Sequence, residues 1–272
     1  MPYSTEAKKI VILGSTGRLG QIIYPFWQEQ HTVWHSRRPK QGYQSLEILK
    51  DKKGFIELLK GSYAVLCLAG ITPSSSSLSF QHNSSIAAAC LDAAKTADVS
   101  RVFLTSSAAV YGNQSGLLSE TDQLNPVSEY GRSKAEMENL ALKHKQTSTV
   151  LRIGNVAGAD AILGGWHPKM KIDTFPDGST PRRSYVGPET LAKVIQKLFR
   201  IENLPAILNL ASPKSIHMNE LLDHANLTYA RAPATDKSIA DVTLDTSLLE
   251  KYVTFRQEDC SAESMVAQWK RT

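Results

Sequence analysis

The chain has 272 residues, 42% of them hydrophobic and 21% charged, a balance that excludes a disordered polymer and allows one large α/β domain with an appended lobe. Its formal charge of +5 is scattered, with short clusters only around Lys50, Lys52 and Lys53 and at Arg182 and Arg183. This pattern attracts small anions and excludes the basic stripe of a nucleic-acid binder. Cys67, Cys90 and Cys260 are widely spaced, two of them in apolar surroundings, and the seven histidines form no closely spaced ligand pattern, so neither a disulfide framework nor a metal site is expected. No apolar run reaches the length of a secretory or membrane-spanning segment, which predicts a cytoplasmic protein without a membrane partner.

In chain order, a strand "KIVILG" precedes a helix over 18–30, a strand "HTVWHS", a strand "YAVLCLAG" and a helix over 78–97. A strand "RVFLTSS", a helix over 128–144 and a strand "STVLRIG" follow. Short apolar runs alternating with helical segments predict βαβ units and a doubly wound parallel sheet covered on both faces. The serine-rich piece "TPSSSSLS" is expected to be a loop that can rim a cleft. After Gly154 the pattern loosens, then a helix "PETLAKVIQKLFR" and a strand "AILNLAS" restore it. The expected organisation is therefore a main domain over 1–155 that returns over about 186–211, with a smaller substrate-binding lobe from 156–185 and 212–272. Met265, Val266 and Trp269 lie on one stripe of the last helix, a packing pattern.

Gly14, Gly17 and Gly20 fall between the first strand and the first helix. Glycines there let the backbone approach a pyrophosphate, and the free amides at a helix start favour negative charge. Tyr130 and Lys134 stand one helical turn apart, so a phenol and an ammonium share one helix face. An ammonium about 4 Å from a phenol would lower its pKa toward neutrality.

The Gly14-x-x-Gly17-x-x-Gly20 spacing resembles that of the extended short-chain dehydrogenase/reductases, the NAD(P)-dependent epimerase/dehydratase family. "LCLAG", "HNSSIAAACLDAA", "VFLTSSAAVYG", "SEYGRSKAE" and "LRIGNVAG" resemble further segments of that family, over roughly the first 160 residues. The resemblance implies a Rossmann fold with Ser107, Tyr130 and Lys134 as the catalytic set. It implies cofactor contacts from Gly14, Thr16, Gly17, Arg18, Leu19 and Gly20, from Leu68, Ala69 and Gly70, and from Lys134. Asn83 is implied to steady the central helix, and Asn155 and Arg183 to face the substrate, Arg183 by gripping the diphosphate of a nucleotide-sugar. Where sugar dehydratases carry an acidic pair this chain has Ala108 and Ala109, which disfavours dehydration.

The second strand ends in Ser36, Arg37 and Arg38 with no carboxylate, which favours NADP over NAD because arginine accommodates the 2′-phosphate. Glu47 and Asp51 are the candidates for steadying the adenine. The reading is an NADP-dependent oxidoreductase or epimerase of a sugar-like carbonyl or alcohol, with a nucleotide-sugar among the candidates. A non-catalytic NADP sensor and a reductase of a small non-sugar ketone are the alternatives. A homodimer through the helices over 78–97 and 128–144 would fit the family.

Overall fold

The computed structural model describes residues 8–72 and 79–272. Most of "TPSSSSLS", and the expected start of the second long helix at Leu78, lie outside the described residues. The chain opens with strand β1 (Lys9–Leu13), helix α1 (Arg18–Ile23), β2 (Thr32–Ser36), the short β3 (Gln44–Ser45) and α2 (Lys52–Leu59). It continues through β4 (Ser62–Cys67), α3 (His82–Thr96), β5 (Arg101–Ser107), β6 (Gly116–Leu118), α4 (Glu129–Lys143), β7 (Thr149–Ile153) and β8 (Asn155–Val156). The remaining elements are β9 (Lys171–Thr174), β10 (Arg182–Val186), α5 (Pro188–Leu198), β11 (Ile207–Leu210), β12 (Ser215–His217), α6 (Met218–Ala225), β13 (Ala230–Pro233), β14 (Asp241–Leu244), α7 (Ser247–Glu250) and α8 (Ala262–Trp269).

Seven strands form one sheet in the order β11-β7-β5-β4-β1-β2-β3, and every pairing in it is parallel. Alternation along the strands explains how both faces are covered. Ile10 and Ile12 of β1 join Ile23, Leu66, Phe103, Leu191 and Ile195 on the face packed by α1 and α5. Val11 and Leu13 join Phe55, Val65, Leu91, Leu104 and Met137 on the face packed by α2, α3 and α4. The strand order reverses between β1 and β4, so their carboxyl ends open the crevice where doubly wound sheets bind ligands.

The first helix is shorter than the expected 18–30. Pro25 lacks an N–H and its ring crowds the preceding turn, so α1 ends at Ile23 and gives way to a 3₁₀ turn over Tyr24–Phe26. The C-terminal half builds a second sheet, β12-β10-β14-β6, with β8 paired to β10. β6, although it lies within the first 155 residues, pairs with β14 in this second sheet. Beneath it, Leu221 and Leu222 of α6 meet Met265 and Val266 of α8 around the buried Tyr185, so the apolar stripe of the last helix is packing.

Candidate active site

The phosphate-loop region is built by close approach. Gly14 has a φ of +72°, and a Cβ there would lie 2.5 Å from Ala69 Cα, so the loop after β1 presses against the end of β4 where only glycine fits. A Cβ on Gly20 would lie 2.2 Å from the Ser15 carbonyl oxygen, so α1 can begin against its own loop only without a side chain. Gly17 caps α1 with no side-chain bond to the first-turn amides. Arg18 donates to the Ala159 carbonyl at 2.9 Å, tying this loop to the segment after β8. Leu19 packs on the core face shared with α5.

Gly14, Thr16, Gly17, Arg37, Arg38, Leu68, Ala69 and Gly70 line one cleft of about 710 Å³, at the switch point. The structure thus brings together most of the cofactor residues expected from the sequence. Ser36 stays outside: it is buried, and its hydroxyl donates to the Arg38 carbonyl, shaping the turn that presents the two arginines. Of the two adenine candidates, Glu47 lines the cleft, whereas the Asp51 carboxylate accepts from Gly54 N at 2.8 Å and caps α2. Lys50 sits 2.7 Å from Glu47 and holds its carboxyl below the usual range, with Arg37 and Arg38 adding to the effect. The rim therefore carries Arg37, Arg38 and Lys50 against the single carboxylate of Glu47.

His35 is a site residue that the sequence reading missed. It is buried at the end of β2, where Nδ1 accepts from Gly14 N at 3.3 Å and Nε2 pairs with the Leu46 carbonyl at 2.9 Å. Burial lowers its pKa, so the neutral imidazole braces the glycine turn. Its only sequence signal is its place just before the arginine pair.

Beyond Gly70 the polar groups converge. Ser107 ends β5, with its hydroxyl accepting from Ala109 N at 3.2 Å and lying near enough to the phenol of Tyr130 to act on its charge. Ser128 caps α4 by accepting from Gly131 N at 3.0 Å, which sets the turn that carries Tyr130 and Lys134. Lys134 is buried, donates to the Thr105 carbonyl at 2.8 Å, and its Nζ lies 3.3 Å from where a Gly70 Cβ would stand. Asn83 latches the rim: it accepts from Ile71 N at 2.8 Å and donates to Ser133 Oγ at 2.9 Å, joining the end of β4 to α4.

The expected depression of the phenol by the ammonium is not what this geometry gives. Lys134 Nζ lies 5.9 Å from the Tyr130 ring, drawn down to β5. Burial raises the Tyr130 pKa, and the nearby Ser107 hydroxyl offsets part of that rise. Burial also lowers Lys134 to about 8, against the attraction of nearby groups that include Glu138.

A buried polar network underlies the set. Arg152 on β7 donates to both oxygens of Glu138 at 2.8–3.2 Å and to the Tyr111 hydroxyl at 2.9 Å, while Ser106 also donates to Glu138. Ser106, the neighbour of Ser107, thus has a structural partner of its own.

Asn155 and Arg183 are brought together elsewhere, in a cavity of about 240 Å³ that Ala108 and Ala109, the residues after Ser107, also line. Arg183 does not offer an open fork. Its Nη1 donates to the Arg182 carbonyl at 2.7 Å and its Nη2 to the Ile239 carbonyl at 2.9 Å.

The sequence matches the NAD-dependent epimerase/dehydratase family over residues 10–174, more than half of the chain. The chain belongs to that family. Among solved structures, the UDP-Glc/GlcNAc 4-epimerase from Campylobacter jejuni superposes with a TM-score of 0.77 at 18% identity, covering 97% of this chain and all of the other. The L-threonine dehydrogenase from Clostridium difficile superposes at 0.73 with 18% identity, covering 97% of this chain and 98% of the other. An NDP-hexosamine 5,6-dehydratase involved in tunicamycin biosynthesis gives 0.75 at 18% identity, with 97% and 98% covered. At these identities the likeness is one of fold. No curated protein matches the chain in sequence.

The cleft suits the dinucleotide that names the family, since Gly14, Gly17 and Gly70 line it with backbone free of side chains and no side chain caps the amides at the start of α1, which favour negative charge. Among the described residues no group of three His, Cys, Asp or Glu is placed to hold a metal, and no helix is long and apolar enough to cross a membrane.

Proposed function

We propose that the protein is an NADP-dependent oxidoreductase or epimerase acting on a carbonyl or secondary alcohol of a sugar-like molecule, with Tyr130 as the general acid/base. The observation that carries this reading is the placement of the Ser107 hydroxyl at the end of β5 near enough to the Tyr130 phenol to act on its charge, beside a buried ammonium packed against Gly70 of the dinucleotide cleft. Gly14, Thr16, Gly17 and Leu68–Gly70 would hold the dinucleotide, with Arg37 and Arg38 at its 2′-phosphate. When bound, the nicotinamide supplies or accepts the hydride. Ser107 orients the substrate oxygen. Tyr130 gives that oxygen a proton or takes one from it, and a phenol raised by burial is a filled donor at neutral pH. Lys134 holds the ribose side of the cleft beneath Gly70. Elimination of water is left out, because Ala108 and Ala109 supply neither acid nor base.

The test follows NADPH absorbance over a panel of sugar and ketone substrates, with a parallel assay for epimerised product, since an epimerase recycles its cofactor. Turnover that disappears in Tyr130→Phe is expected. Full turnover in that variant would overturn the assignment.

A further inference from the structure

The cavity beyond Ser107 is built for something smaller than the nucleotide-sugars named for the neighbouring structures. Sites that enclose drug-sized ligands occupy roughly 300–1,000 Å³. A nucleoside diphosphate joined to a hexose is at least that large, and the space here is about 240 Å³. Its walls are small at the catalytic end, with Ala108, Ala109 and Gly112, and apolar on the side of Ile239, Val242 and Leu244.

Arg183 is the one cation among the described residues lining this cavity, and it is already engaged. Besides the bonds to Arg182 and Ile239, Nη1 reaches the Ala240 carbonyl at 3.4 Å, so the guanidinium stitches the segment before β14 onto β10. Two carboxylates, Asp241 and Asp173, lie close enough to act on its charge, and Asp241 Oδ1 is buried without a hydrogen-bond partner. A diphosphate would have to displace backbone carbonyls from the fork and approach two like charges. Fork-to-phosphate binding depends on free parallel donors, and like charges oppose it. The uncharged polar residues lining the cavity are Asn155, whose amide makes only a long 3.5 Å bond to the Ser184 carbonyl, and Ser184, whose hydroxyl accepts from Leu244 N at 2.8 Å. A single weakly bonded amide facing an apolar wall suits the polar edge and apolar face of a small ring.

Resting on the hydride-transfer reading above, we propose that this cavity takes an uncharged carbonyl or hydroxy compound of monosaccharide size and rejects nucleoside diphosphates. Arg183 then acts as a wall of the site rather than as a phosphate clamp.

The test uses the full chain saturated with NADPH, so that the cofactor cleft is filled. UDP, dTDP, GDP and UDP-glucose are titrated calorimetrically, and free aldoses, ketoses and hydroxyketones are compared with nucleotide-sugars for NADPH oxidation and epimerisation. Silence toward the nucleotides at millimolar concentration, with turnover confined to the free compounds, is expected. Arg183→Met should lower Tm, because the segment before β14 loses its stitch to β10. Micromolar binding of any nucleoside diphosphate, or preferred turnover of a nucleotide-sugar, overturns the substrate class while leaving the hydride-transfer reading intact. Absence of turnover with every compound, together with nucleotide silence, overturns both.

Discussion

Lys134 is anchored to Thr105, whose carbonyl accepts from Nζ at 2.8 Å two residues before Ser107 on the same strand. The ammonium is thereby fixed to the strand that carries the Ser107 hydroxyl, at the expense of its hydration. Burial brings its pKa from 10.5 to about 8, which amounts to about 3 kcal/mol opposing the folded state at neutral pH. The folded pKa is the lower one. Between about pH 8 and 10.5 the native chain has therefore released a proton that the unfolded chain keeps, and native stability gains from Lys134 as pH rises through that window. Lys134→Met removes the charge and loses a hydrogen bond of about 1 kcal/mol, so it should be about 2 kcal/mol more stable than the parent at pH 7 while binding NADPH more weakly. Thermal melts at pH 7 and pH 10 check this, with the advantage fading at the higher value. An advantage equal at both would remove the buried charge from the explanation.

Tyr130 makes the opposite trade, since its phenol remains protonated without any cost of charge burial. Tyr130→Phe should lower kcat by about 10²- to 10⁴-fold and leave NADPH affinity unchanged, the usual range for loss of a proton-transfer group. With burial raising the phenol above its ordinary value of 10.0, kcat for carbonyl reduction at saturating cofactor should stay level through neutral pH and fall only above that value. Cofactor affinity should weaken earlier, as Lys134 loses its proton near 8. Coincident profiles for the two quantities would show that one group governs both.

Glu138 and Arg152 face each other with 2% and 3% of their side chains exposed, one turn below Lys134. Removing one member of such a pair strands a buried charge at about 3–5 kcal/mol, whereas replacing both with apolar side chains is often neutral or favourable. Glu138→Ala should thus unfold at much lower denaturant than the double variant Glu138→Leu/Arg152→Met. The double variant should fold yet lose activity, because Ser106 then lacks its carboxylate partner beside Ser107. Equal stability of single and double variants would mean that the pair is not coupled.

Local patterns in the sequence carried the fold and the placement of Ser107, Tyr130 and Lys134 within it. The glycine loop, the strand ending in Ser107 and the Ser128-capped helix are each contained within about fifteen residues, where periodicity and capping rules act. Relationships formed across the fold were not legible. Glu138 reads as an ordinary exposed charge on a helix until β7 brings Arg152 against it, and His35 reads as a strand residue until the Gly14 turn lands on it. The second sheet is built from strands as short as Asn155–Val156 and Gly116–Leu118, too brief to show alternation. Arg183 sits where the family resemblance places it, but its role depends on the carbonyls of Ile239 and Ala240, far along the chain.

The proposed preference for NADPH rests on Arg37 and Arg38, which stand exposed on the rim of the 710 Å³ cleft while Ser36 holds the turn beneath them. Their charge is offset only by Glu47, itself paired with Lys50, so the rim keeps a net positive potential toward a 2′-phosphate. A charge-assisted bond of about 1.5–3 kcal/mol corresponds to roughly ten- to hundredfold in affinity. Fluorescence titration should therefore show NADPH binding ten- to hundredfold tighter than NADH, with the difference shrinking as salt screens the exposed arginines. Arg37→Asp replaces attraction with repulsion and supplies a carboxylate for the ribose hydroxyls, so it should narrow or reverse the preference without changing kcat at saturating cofactor. Equal affinity for the two dinucleotides in the unmodified protein would refute the assignment, and a preference that survives in Arg37→Asp would move it to Arg38.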